Sequence, residues 1–100
     1  MAAQDLESTP HHRLLYIEDA AHGWLQVPRT LLGSLGIADG ITSYSYQRDG
    51  MVYLEEDLDM TTFWNAYEAH YGIAPVFERY YVPRWPGRHY DTYKPAPGIP

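Results

Sequence analysis

The sequence predicts a small α+β domain with the order β-β-α-β-β-α-β and a Pro-rich C-terminal tail, and three features carry that expectation. Short apolar runs of strand length alternate with two stretches of helical spacing. Gly36 and Gly72 stand where each helix would stop. Asp49-Gly50 separates two alternating segments as a two-residue hairpin loop does, because a type I′ turn needs positive φ at both central residues.

Taken in order, Leu14, Leu15, Tyr16 and Ile17 form an apolar run that predicts a buried strand over 12–17. A polar turn over 18–22 leads to a second strand over 24–27. Pro28 suits the first position of a helix, where its missing N–H is no loss, and Leu31, Leu32 and Leu35 give that helix one apolar side. Gly36 supplies a left-handed stop, with Ile37 closing back on Leu32.

The alternation Ser43-Tyr44-Ser45-Tyr46 predicts a third strand over 42–47. Across the Asp49-Gly50 hairpin, Tyr46 should face Tyr53, Tyr44 should face Glu55 and Ser45 should face Leu54, so that Tyr44, Tyr46 and Tyr53 form one patch. Asp59 is placed to cap a second helix ending at Tyr71, whose inner side is Met60, Phe63, Trp64, Tyr67 and Tyr71. Val76, Phe77, Tyr80 and Tyr81 mark a last strand over 75–82. Five of the eight prolines follow Val82, which predicts extended, irregular chain. The expected organisation is a flexible N-terminus over 1–11, a domain over 12–82 and a Pro/aromatic-rich tail over 83–100.

One hundred residues, 45% of them hydrophobic, suffice for one core and not for two. Cysteine is absent, which removes disulfides and thiolate metal sites and fits a reducing compartment. Residues 1–10 contain Asp5 and Glu7 and no apolar run, so neither a signal peptide nor a membrane span is expected, and the predicted location is cytoplasmic.

The net charge of −6 is unevenly distributed. Through Glu78, 12 carboxylates face only Arg13, Arg29 and Arg48, whereas from Arg79 onward Arg79, Arg84, Arg88 and Lys94 face Asp91 alone. An acidic body with a mildly basic end suits a basic protein surface better than nucleic acid, whose affinity grows with the phosphates that cations neutralise.

No residue set has the spacing of a catalytic centre. Ser34, Ser43 and Ser45 lack an identifiable base, and none of the five histidines pairs with another at the i, i+4 spacing of a zinc-binding helix face. No catalytic residue, metal or cofactor is therefore expected. The densest charge lies in Glu55-Glu56-Asp57-Leu58-Asp59, which reads either as carboxylates favoured at a helix start or as a negative patch for a cationic partner, and lacks the calcium-loop pattern. Ten tyrosines exceed the needs of so small a core, and Tyr, Trp and Arg are the residue types of interface hot spots; the competing reading packs Tyr44, Tyr46, Tyr53, Tyr67 and Tyr71 between hairpin and helix with their hydroxyls towards solvent. The candidate partner-binding residues are Glu55, Glu56, Asp57, Tyr44, Tyr46, Tyr53, Arg84 and Trp85.

The order Gly23, Val27-Pro28-Arg29, Leu35-Gly36-Ile37, Gly40, Gly50, Val52 and Leu54 resembles the AbrB/MazE swapped-hairpin family over about a third of the chain. That resemblance implies an intertwined dimer that binds DNA through basic residues around its first hairpin, or an antitoxin. Arg29 keeps a basic position of the pattern, and Arg48 is the other candidate phosphate contact. His22 and Trp24 stand where the family is usually basic, and Ile41 where it is acidic. The stretches His22-Gly23-Trp24, Ser43-Tyr44-Ser45-Tyr46-Gln47 and Val52 to Asp57 also look like small uncharacterised proteins of bacterial plasmids, integrative elements and phages, a setting that includes anti-CRISPRs. The expected function is a non-catalytic, acidic protein-binding module of a mobile element that inhibits a nucleic-acid-handling complex. The alternative is a dimeric AbrB/MazE-like DNA-binding regulator or antitoxin.

Overall fold

The structure is a computed structural model and describes residues 12–95; the N-terminal segment expected to be flexible and the last five residues lie outside them. The chain forms β1 (Leu14–Glu18), β2 (Gly23–Pro28), α1 (Arg29–Ser34), a 3-10 turn over Ala38–Gly40, β3 (Tyr46–Arg48) and β4 (Met51–Glu55). It continues through α2 (Asp59–Tyr71), β5 (Phe77–Tyr81), a second 3-10 turn over Pro86–His89 and β6 (Asp91–Thr92). This is the α+β architecture the sequence predicts, with one strand added at its end.

The six strands make one sheet in the order β5-β1-β2-β4-β3-β6, parallel only between β1 and β5. Because β4 and β5 run the same way, α2 carries the chain across one face of the sheet from its middle to its edge. Among the described residues no helix is long and apolar enough to cross a membrane.

Alternation along the strands gives the sheet two apolar faces. One bears Leu14, Tyr16, Leu25, Val27, Val52 and Leu54 and packs against Leu31 and Leu32 of α1 and Phe63 and Tyr67 of α2. The opposite face bears Ile17, Trp24 and Tyr53, and Trp85 lies on it. Two small helices cannot cover both sides of six strands, so the second face needs a cover from elsewhere in the chain.

That cover is the segment expected to be an irregular tail, and the expectation is corrected here. Trp85 packs at 4.3 Å from the Trp24 ring and 5.3 Å from Tyr53, while Tyr93 enters the helix-side core. Val82 N–H donates to the Glu18 carbonyl, Tyr93 N–H donates to Ser45, and β6 pairs with β3. Prolines shaped the segment without releasing it. The folded unit therefore extends beyond Val82 through Tyr93, because burying the Trp85 and Tyr93 rings outweighs ordering a chain that proline has already stiffened.

Local signals held where they specify backbone geometry. Asp49 and Gly50 both have positive φ, 51° and 80°, as a type I′ hairpin requires. Ile37 N–H reaches the Leu32 carbonyl and Gly36 N–H reaches Gly33, each at 3.0 Å, which is the double bond of a Schellman stop. Pro28 ends β2 as the residue before α1 and is not its first helical residue.

The third strand is shorter than its alternation suggests, starting at Tyr46 instead of residue 42. Tyr46 does face Tyr53, but Tyr44 and Ser45 lie outside the ladder. Asp59 is the cause. Its carboxylate, wholly buried, accepts the Thr42 N–H at 3.0 Å, the Thr42 hydroxyl at 2.7 Å and the Ser45 hydroxyl at 2.6 Å, folding 42–45 into a turn.

Candidate partner-binding site

At the ends of β2, β3 and β4 the chain makes a hollow of about 280 Å³ lined by His22, Trp24, Tyr44, Tyr46, the carboxylates of 55–57, and Arg88. Five of the eight partner-binding candidates meet there: Tyr44, Tyr46, Glu55, Glu56 and Asp57. The turn pinned by Asp59 lifts Tyr44 out of the sheet, leaving it 73% exposed beside the acidic run. Asp57 is exposed too, and no ion pair reaches it among the described residues.

The three carboxylates differ in what they do. Glu55 accepts the backbone N–H groups of Asp57 at 2.9 Å, of Leu58, and of Asp59 at 2.6 Å, so it caps α2 in place of Asp59. This corrects the expected cap: a buried carboxylate with three donors at 42–45 cannot also serve the helix start. Glu56 accepts the Tyr16 hydroxyl at 3.1 Å and lies 3.7 Å from His22 Nδ1. Asp57 alone faces outward with its charge free for a partner.

Tyr16 reaches Glu56 because its ring crosses Gly23, where any Cβ would fall 2.0 Å from the hydroxyl oxygen. Burial, reinforced by the Glu56 carboxylate, pushes the Tyr16 hydroxyl up to about 12. A neutral donor thus holds the Glu56 carboxylate in place. Arg88 closes one side, stacked 5.3 Å over Trp24 and bound at 2.6 Å to Asp19. Asp19 also accepts the Ala21 and His22 N–H groups, which with Arg88 hold its carboxyl down at about 2.

Three candidates fall elsewhere. Tyr53 and Trp85 are buried within the aromatic cluster of the second face, which corrects their expected role as contact residues. They support Trp24 and Tyr46 from beneath. Arg84 is exposed on a separate, open hollow of about 520 Å³ with Asp19, Pro83 and His89. Arg79 pairs with Glu18 and Arg88 with Asp19, and neither forms an ion pair with the 55–57 carboxylates, although Arg88 borders their hollow.

No protein-family model, curated protein or solved structure matches this chain.

The two arginines of the alternative DNA-binding reading are both engaged within the chain. Arg29 donates to the Lys94 carbonyl at 3.0 Å and to the Gln47 side chain, and it stacks 5.1 Å over Tyr93. Arg48 lies 3.4 Å from Asp49 and 4.8 Å over the Tyr90 ring. Arg29 in particular clamps the C-terminal segment to β3. Among the described residues no three His, Asp or Glu side chains gather as a metal ion would require.

Sequence reasoning missed His22, Trp24, Arg88 and Asp19 as parts of one site. His22-Gly23-Trp24 is a recognisable string, but nothing local says that Arg88, 64 positions after Trp24, would lie on its indole.

Proposed function

We propose that this protein is a non-catalytic binding module that captures a cationic side chain of a basic protein partner in the hollow of Tyr44, Tyr46, Glu55, Glu56 and Asp57. The observation that carries this reading is the meeting of the exposed Tyr44 ring with the exposed carboxylate of Asp57, which no ion pair reaches among the described residues. An aromatic face beside carboxylates attracts a guanidinium or ammonium both through its quadrupole and through charge. Partners that handle nucleic acid display such cations where phosphates would sit, so inhibition of a complex of that type is the role this chemistry favours, and the mobile-element setting rests on the sequence resemblance alone.

The test avoids Glu55, whose loss would disturb α2. The full chain and a Tyr44→Ala/Asp57→Lys variant are titrated with an arginine-rich peptide and followed by amide chemical shifts. The expected result is perturbation centred on 44–46 and 55–57, weakening with added salt and reduced at least about tenfold in the variant, or ~1.4 kcal/mol. Equal binding by the variant would remove this hollow as the partner site.

A further inference from the structure

Among the described residues the strand β5 has a strand partner on one side only. Val82 N–H donates to the Glu18 carbonyl at 2.8 Å, and the parallel register pairs Tyr16 with Arg79 and Glu18 with Tyr81. In a parallel ladder alternate residues of one strand point their N–H and C=O groups at the neighbour. The even residues Glu78, Tyr80 and Val82 therefore face β1, and Phe77, Arg79 and Tyr81 present theirs to the open edge. Among the described residues nothing answers them. Val76 is 73% exposed and Tyr81 63% exposed along the same edge, with Tyr80 half exposed. The opposite edge, β6, is only two residues long.

We infer that β5 is a homodimer interface, in which two copies of the chain pair antiparallel through this edge about a two-fold axis at Arg79. An open strand edge is a template for another strand, and a second copy is the occupant its sequence fits. A two-fold axis normal to the sheet keeps each side chain on its own face, so facing residues must be separated by an even number of positions. Pro75 and Pro83 lie four residues either side of Arg79. Centring the pair there sets proline against proline, where no N–H is needed, and leaves every outward amide from 77 to 81 a partner. Shifting the axis by one residue sets a proline against Phe77 or Tyr81 and orphans a carbonyl.

The side chains agree with that register. Phe77 faces Tyr81 of the second copy, Val76 faces Val82, and Glu78 faces Tyr80, whose hydroxyl already donates to a Glu78 carboxylate at 3.0 Å within the chain. The one like-charge pair, Arg79 against itself, is met by Glu18 at 3.1 Å in each copy. Association by this route joins two six-stranded sheets into one continuous sheet and leaves the acidic hollow, near the ends of β2 to β4, open on both copies. It stands independently of what the hollow binds.

Light scattering on the full chain across a concentration series is expected to give twice the 11.5 kDa of one chain. Arg79→Pro removes two central hydrogen bonds of the interface and none of the β1–β5 ladder, so it should yield a folded monomer, with circular dichroism reporting the fold. As a second measure, Arg79→Cys in this cysteine-free chain should form a disulfide dimer under mild oxidation far faster than Tyr44→Cys, since facing Cα atoms at a two-fold pair lie about 5.5 Å apart. A single-chain mass at every concentration, a dimer that survives Arg79→Pro, or equal cross-linking at 79 and 44 would each overturn the inference. A dimer that survives would place the contact on another surface, and a monomer would leave the edge to an unlike strand.

Discussion

Asp59 Oδ2 accepts the Ser45 hydroxyl at 2.6 Å, and both side chains are wholly buried. Ser45 Oγ in turn accepts the Glu55 N–H at 3.0 Å, so a side chain takes over where the β3–β4 ladder stops. This relay couples the start of α2 to the turn that raises Tyr44. The candidate site is therefore shaped by a polar contact beneath it.

Removing the relay should be expensive. Asp59→Ala strands two hydroxyls and one backbone N–H away from water and is expected to destabilise the fold by about 3 kcal/mol, read as a fall in urea midpoint at constant slope. Asp59→Asn retains one acceptor oxygen and should lose roughly half as much.

Glu55 makes a different prediction, because its three acceptor contacts end on backbone amides at the start of α2. Glu55→Ala should reduce stability by about 1–2 kcal/mol, and amide exchange should accelerate first at 57–59. Protection left unchanged at those amides would contradict a capping role.

The C-terminal segment is expected to fold and unfold with the domain. Trp85→Ala opens the second face over Trp24 and Tyr53 and should destabilise by about 3–4 kcal/mol. Gly87→Ala should also be harmful, since an added Cβ would fall 1.9 Å from the Trp85 ring. Denaturation followed by indole fluorescence and by far-UV dichroism should give coincident curves in the wild-type chain.

Asp19 and Tyr16 contribute at opposite ends of the pH range, Tyr16 together with Tyr53, Tyr67, Tyr80 and Tyr93, which are raised as well. Asp19 is held at about 2 against an ordinary 3.8, so the stability it contributes is present above about pH 4 and is lost as pH falls towards 2. Tyr16 is raised from 10.0 to about 12, so its contribution is complete below pH 10 and is lost as pH rises through 12. Asp19→Asn should flatten the acid limb and Tyr16→Phe the alkaline limb of melting temperature against pH. A limb unchanged by its variant would refute that assignment.

What the sequence determined by itself was whatever a few neighbouring residues decide: the Asp49-Gly50 turn, the Schellman stop at Gly36-Ile37, the span and end of α2 at Gly72, and the facing of Tyr46 with Tyr53. These follow from dihedral limits and side-chain period, which act over one or two turns of chain. Only the tertiary structure decided that Asp59 turns inward, that Trp85 covers Trp24, and that Arg88 reaches Asp19 across 69 positions. A sheet with two apolar faces must find cover for both, and which distant segment supplies it is a question of total buried area and chain reach. Local pattern does not carry that information, so proline content pointed to a loose tail where packing required a lid.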